Sequence, residues 1–300
     1  MTTNHANIVD KYVRPKSGNW HDYVLLMRMN RPIGSLLLLW PTLWALLLAS
    51  EGQPSVANLL IFTLGVFVMR SAGCVINDYA DRHIDGNVKR TRERPLAARR
   101  LSEANALTLF GALLLLALVL VLATNWLTIL LSLVAVALAS VYPFAKRRSH
   151  LAQVVLGAAF SWAIPMAFAA ETGELPMTVW LVYTVNLLWV VAYDTFYAMV
   201  DRDDDLKIGV KSTAILFAEN DRVVTAALQG MVILGLLLMS HHFNLGIIYH
   251  VSVAAAAGLF VHQQRLIRFR QRQACFEAFL NSQWVGFVVF MGIALDYLIF

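Results

Sequence analysis

Apolar residues run in long blocks from position 32 to the C-terminus, and polar residues gather in the gaps between them. A helix needs about 20 apolar residues to cross a hydrocarbon core, and lipid admits only elements that satisfy their own backbone hydrogen bonds. The pattern predicts nine spans, at 32–49, 56–76, 104–123, 126–143, 151–170, 177–199, 223–240, 246–263 and 280–299. Little more than Thr124-Asn125 separates the third from the fourth, which predicts a tight helical hairpin. Pro32 suits a first helical turn, whereas Pro41 falls inside the first span and predicts a kink. The expected fold is all-α: one polytopic membrane domain over 1–300, with 1–31 as a polar segment ahead of the first span. Its first twenty residues lack the apolar core of a cleaved signal, so the first span is expected to direct insertion.

Composition agrees. The chain is 59% hydrophobic and 14% charged, against about 45–50% and about 25% in soluble domains. Its 24 Lys and Arg residues sort by connection. Five precede span one, seven lie between spans two and three, three between four and five, four between six and seven, and four between eight and nine; Arg70 lies within span two. With nine spans every basic connection falls on one side, which the positive-inside rule makes cytoplasmic. The N-terminus is then inside and the C-terminus outside, and an eight-span count breaks the pattern. The net charge of +5 therefore reads as orientation signal and lipid-headgroup contact, not as a nucleic-acid surface. Cys74 and Cys275 stand far apart with no CxxC, which suggests neither a disulfide framework nor a zinc site.

Two acidic clusters interrupt the apolar pattern, one closing span two and one closing span six. In the first, Asn77, Asp81 and Asp85 repeat every four residues, with Asp78 alongside; in the second, Tyr197, Asp201 and Asp205 do the same, with Asp194 three residues earlier. That spacing predicts one helix face for each. The matched positions are 120 residues apart, as two four-helix units would give, and such units would face the clusters across a central cavity open to the cytoplasm. Carboxylate oxygens suit hard cations such as Mg²⁺, which bridges a few carboxylates to phosphate oxygens. A solvated helix end is the plainer reading of each cluster taken singly. An EF-hand is excluded, because Leu206 and Ser212 stand where such a loop needs Gly and Glu. Asp194, deep in an apolar run, reads as functional or as a partner of Arg70 in span two, and either reading brings spans two and six together.

These residues resemble the UbiA superfamily of intramembrane prenyltransferases, in its 4-hydroxybenzoate polyprenyltransferase branch. The likeness rests on Asn77-Asp78-xx-Asp81-xxx-Asp85 and Tyr197-xxx-Asp201-xxx-Asp205. It extends to Arg31-Pro32-Ile33-Gly34, Met69-Arg70-Ser71-Ala72-Gly73-Cys74, Tyr142-Pro143-Phe144-Ala145-Lys146-Arg147 and Ala192-Tyr193-Asp194-Thr195, and so covers essentially the whole chain. It implies Mg²⁺-dependent transfer of a polyprenyl group from its diphosphate to 4-hydroxybenzoate, ortho to the hydroxyl, in ubiquinone biosynthesis at the bacterial inner membrane. It assigns Asn77, Asp78, Asp81 and Asp85 to one metal and Asp201 and Asp205 to another. Asp194, Tyr197 and Arg70 would stand beside the reacting groups, and Arg94, Lys146, Arg147 and Lys211 would meet phosphate or carboxylate. Trp40, Phe67, Tyr79, Trp162 and Phe196 offer ring faces to an allylic cation, with ordinary packing the favoured account of each. Two alternatives remain: a sister enzyme with a haem or menaquinone precursor as acceptor, and a cation-coupled transporter. The gathering of carboxylates on one side of the bilayer disfavours the transporter.

Overall fold

The computed structural model describes residues 19–83, 85–87 and 91–300, without the side chains of Asn87, Phe144, Lys146, Arg147, Arg148 and Ile208. Among the described residues the regular structure is entirely helical. A short helix α1 (Trp20–Leu26) precedes α2 (Ile33–Ala49), α3 (Val56–Asp81), α4 (Glu103–Val121), α5 (Trp126–Arg148), α6 (Ala152–Ser161) and α7 (Ala163–Thr172). Then follow α8 (Thr178–Ile208), the short α9 (Thr213–Phe217), α10 (Asp221–His242), α11 (Ile247–Leu266) and α12 (Arg272–Ile299).

Among the described residues seven helical units are long and apolar enough to cross a membrane: α3, α4, α5, α6 with α7, α8, α9 with α10, and α12. The chain is thus an integral membrane protein. The other two predicted intervals also hold helices, with weaker membrane character. Helix α2 is apolar but only 17 residues long, and α11 is diluted by His250, His262, Gln263 and Gln264.

The differences from the apolar pattern have local causes. Helix α2 continues through Pro41. The fifth interval breaks at Trp162 into α6 and α7, where Pro165 has no N–H to give to the carbonyl one turn earlier. The short turn between α4 and α5 forms as expected, with the Asn125 side chain accepting from the Thr128 N–H at 3.0 Å, but the two helices splay apart beyond it instead of packing as a tight pair. Helix α8 runs nine residues past the apolar interval, through its whole acidic cluster, and stops at Gly209, whose φ of 71° is the left-handed conformation that glycine adopts without cost.

Helix α8 is the centre of the bundle, packing on α6, α10 and α12, while α2 packs on α12, α7 and α3. Trp44 of α2 stacks on Trp189 of α8 at 5.6 Å between centroids, and donates its indole N–H to the Gly286 carbonyl of α12 at 3.0 Å. The α10–α12 hairpin is held by buried amides: Gln229 donates to Gln263 at 2.8 Å and Gln263 to Asn281 at 3.0 Å. At the opposite end Asp296, 3% exposed, accepts the Gly246 and Tyr249 N–H groups at the start of α11. That makes it a structural cap. Helices α4 and α5 expose Leu115, Val119, Leu122 and Leu133 to the surroundings, as a lipid-facing pair should.

Gly286 marks the crossing of α2, α8 and α12. A methyl there would stand 2.7 Å from Trp189 and from Trp40, whereas one at Gly258 would meet nothing within 4 Å. Gly286→Ala is expected to cost about 1–3 kcal/mol by overpacking, and Gly258→Ala to be neutral or stabilising by about 0.5–1 kcal/mol. Thermal unfolding of the two variants in one detergent checks the contrast.

Candidate functional site

One cavity of about 820 Å³ runs through the bundle. Its polar end is lined by Arg28, Arg31, Asn77, Asp78, Glu93, Arg94 and Arg100, and its middle by Arg70, Tyr142, Tyr193, Asp194 and Tyr197. From there it passes between α3, α4 and α5 as an apolar groove that reaches Thr124, at the far end of α4. A polar mouth thus continues into a long oily channel.

The mouth is assembled by charge pairing. Helix α3 carries Asn77, Asp78 and Asp81 and ends at Asp81. Asp85 therefore leaves the helix face expected from the four-residue spacing, since the chain turns at Arg82-His83 and Asp85 opens a 3-10 turn. It is brought back by Arg94, whose guanidinium lies 3.0 Å from Asp78 and 2.9 Å from Asp85, while the Thr91 hydroxyl donates to the Asp85 carbonyl at 2.9 Å. Arg28 grips both oxygens of Asp78, at 2.8 and 3.0 Å. Asp78 is only 1% exposed, and two guanidinium groups make that burial tolerable. Burial pushes the Asp85 carboxyl above the usual carboxylate value; Arg94 pulls it back down, and neighbouring Asp78 and Asp81 push it up again.

A small cap at the polar end of the bundle supports these arginines. Leu26 of α1, Val75 of α3, Leu96 and Leu101 of the following connection and Ala106 of α4 form their own apolar cluster. Arg100 donates to Asp22 at 2.7 Å and to the Glu93 carbonyl at 2.8 Å, and so ties the connection to α1. Arg28, in the left-handed region at φ 58°, projects from this cap into the mouth. Its role was not legible in the sequence; the available signal was a basic residue just ahead of span one.

Helix α8 bears Asp194, Tyr197, Asp201 and Asp205 as one continuous helix, as the spacing predicts. Asp194 and Tyr197 line the same cavity as Arg70 of α3. Arg70 lies over the Phe160 ring at 5.6 Å and against Gly34. Asp81, Asp85, Asp201, Asp205 and Lys211 are not among the lining residues. Lys146 and Arg147, also named from sequence, have side chains outside the described ones. Among the described residues no three His, Cys, Asp or Glu side chains converge as a ready-made metal cage. The donor set at the mouth is nevertheless all hard oxygen, which is the chemistry a Mg²⁺ ion takes.

The aromatics named from sequence pack elsewhere. Trp40 meets Phe287 and Phe290, Trp162 donates to the Leu131 carbonyl, Tyr79 lies under Arg82, Phe67 is exposed and Phe196 is fully buried in the core. The rings that line the cavity are Phe62, Tyr142, Phe160, Tyr193, Tyr197, Phe276 and Phe279.

The chain resembles known proteins over nearly its full length. The UbiA prenyltransferase family profile matches residues 38–291. A protein named 4-hydroxybenzoate octaprenyltransferase from Hahella chejuensis is 60% identical over 92% of each chain. One of the same name from Photobacterium profundum is 56% identical over 90% of this chain and 94% of that one. The apo structure of a UbiA homologue from Aeropyrum pernix K1 superposes with a TM-score of 0.78 at 25% identity, over 87% of this chain and 97% of that one. A UbiA homologue from Archaeoglobus fulgidus, solved with GPP and Mg²⁺, shares the fold with a TM-score of 0.67 at 18% identity, over 91% and 99%.

Arg94→Ala strands Asp85 without its guanidinium. The unpaired carboxylate costs stability only when ionised, so the deficit against wild type should be small at acid pH and grow as pH rises to neutral. Thermal unfolding across pH in detergent measures it; an equal deficit at every pH would mean that Arg94 acts by packing alone.

Proposed function

The chain belongs to the UbiA prenyltransferase family, and from that premise we propose that it transfers a polyprenyl group from polyprenyl diphosphate to 4-hydroxybenzoate, at the carbon ortho to the hydroxyl, releasing diphosphate. The observation that carries this reading is the joining of one charged mouth to one long apolar groove. A polyprenyl diphosphate has the same division. The names of relatives at 56–60% identity support the acceptor, and the product belongs to ubiquinone biosynthesis.

In this reading the chain is one membrane domain of nine spans, the seven long apolar helices together with α2 and α11. By the positive-inside rule, the mouth and N-terminus would face the cytoplasm and the C-terminus would lie across the bacterial inner membrane. Asn77, Asp78, Asp81 and Asp85 would hold one Mg²⁺, and Asp201 and Asp205 another. Bound there, Mg²⁺ would neutralise the diphosphate and so make it a competent leaving group.

The remaining work falls to side chains. Arg28 and Arg94, with Lys146, Arg147 and Lys211, supply cationic donors for oxygens whose charge grows as the carbon–oxygen bond breaks. The apolar walls keep water from the allylic cation that results. Phe160, Tyr193, Tyr197, Phe276 and Phe279 line the cavity in which it would form, and aromatic faces stabilise such a cation. Arg70 is suited to the carboxylate of the aromatic acceptor. Asp194 accepts a proton, either from the phenol, which enriches the ring, or from the ring carbon after attack.

Membranes containing the chain are expected to turn 4-hydroxybenzoate and a polyprenyl diphosphate into a lipid-soluble product identified by mass. Chelating divalent metal should stop the reaction, and Mg²⁺ should restore it. Asp78→Ala and Asp201→Ala should each lower the rate by about 10²-fold or more while the protein stays folded. Full activity in both variants would sink the metal assignment.

A further inference from the structure

The end of α8 is a helix terminus that its own sequence disfavours. Asp201, Asp203, Asp204 and Asp205 crowd its last two turns, at the negative end of the helix dipole, where carboxylates are repelled by the dipole and by one another. Yet the helix holds to Ile208. A clamp comes from the start of α12: Arg272 donates through Nε to the Val200 carbonyl at 2.5 Å and through Nη2 to Asp204 at 2.6 Å, and Nη2 stands 3.9 Å from Asp201.

Arg272 is not placed for the benefit of its own helix. It is the first residue of α12, where the positive end of the dipole disfavours a cation. The segment that delivers it is strained and anchored. Arg270 sits in the left-handed region at φ 52°, held by three contacts of 2.8–3.0 Å to Asp221, which is fully buried. Arg202 of α8 approaches the same Asp221 at 3.5 Å. Strain retained against such anchoring is typical of functional sites.

We propose that Arg272, paired with Asp204, is the positioning residue of the second acidic face: it holds the last turns of α8 helical so that Asp201 and Asp205 stay on one face and bind a divalent cation together. This rests on the reading of Asp201 and Asp205 as metal ligands. Arg272 acts through Val200 and Asp204, not by touching the substrate. A clamp and a mere charge effect differ in sign. If only charge mattered, removing the cation would tighten metal binding and removing the Asp204 carboxylate would weaken it. If the clamp matters, breaking either half weakens binding, and breaking both halves together, which leaves the local charge unchanged, weakens it as well.

The test uses the full chain in detergent, with Mn²⁺ and inorganic diphosphate as probes and bound Mn²⁺ read by electron paramagnetic resonance. Arg272→Gln, Asp204→Asn and the double variant should each weaken Mn²⁺ binding by about tenfold or more, with Arg272→Lys intermediate, because an ammonium keeps the charge but not the two-point grip. Size-exclusion and thermal unfolding select variants that remain folded, and Asp201→Ala is the reference. Opposite signs for the two single variants, or wild-type affinity in the double variant, would overturn the clamp. Wild-type affinity in Asp201→Ala would instead remove the metal face itself, and the proposal with it.

Discussion

Burying the carboxylate of Asp78 at the mouth of an apolar cavity obliges the fold to bring cations to it. An isolated carboxylate in such a place costs several kcal/mol or takes up a proton. Arg28 reaches it from the polar segment before α2, and Arg94 from the connection after α3. That need explains why the cap exists at all. Leu26, Leu96 and Leu101 make a small second core whose visible result is the placement of these two arginines. Arg94 then recruits Asp85, and the first acidic cluster becomes one paired unit although its helix has already ended.

The same constraint sorts charge along the bundle. The groove beyond Arg70 is walled mainly by leucine, valine, alanine and phenylalanine from α2 to α7. Asp296, buried in the last turn of the last helix, caps α11, so its carboxylate meets a positive helix end. Among the polar contacts inside the bundle are neutral amides, as between Gln229, Gln263 and Asn281. They satisfy one another without placing charge near the lipid-facing surface.

Much of this was legible from period and length. The apolar blocks mark where helices run because lipid leaves the backbone no alternative, and the Asn125 turn and the single face of Asp194, Tyr197, Asp201 and Asp205 follow from spacing alone. What escaped was long-range or local in another way. The four-residue spacing carries α8 past its apolar interval, but the contact that Arg272 makes with Val200 from 72 positions away has no signal in the pattern. Asp85 leaves its predicted face because a chain can turn between two residues of matching period. The break at Trp162 had a local signal in Pro165 that hydropathy overrides. Cavity aromatics could not be chosen from apolar runs, since the direction of a ring depends on which helices cross. Arg28 and Arg272 looked like ordinary orientation charges, and only their partners distinguish them.

The two acidic helix ends are stabilised by the same chemistry from different sources. On α3 the guanidinium groups bind the buried carboxylate itself, so any incoming cation must take over charge that Arg28 and Arg94 now neutralise. On α8 the nearest guanidinium binds Asp204 and only approaches Asp201. The first face is thus internally compensated, and the second is held in shape by a neighbour. A dianionic headgroup entering between them would draw Arg28 and Arg94 toward its own oxygens and leave Asp78 to a metal, a trade of partners in which no charge need be buried alone. The asymmetry is one of placement: Asp78 lines the cavity and is neutralised there by two guanidinium groups, whereas Asp201, itself only 8% exposed, lies outside the cavity lining and its helix end is gripped through Asp204.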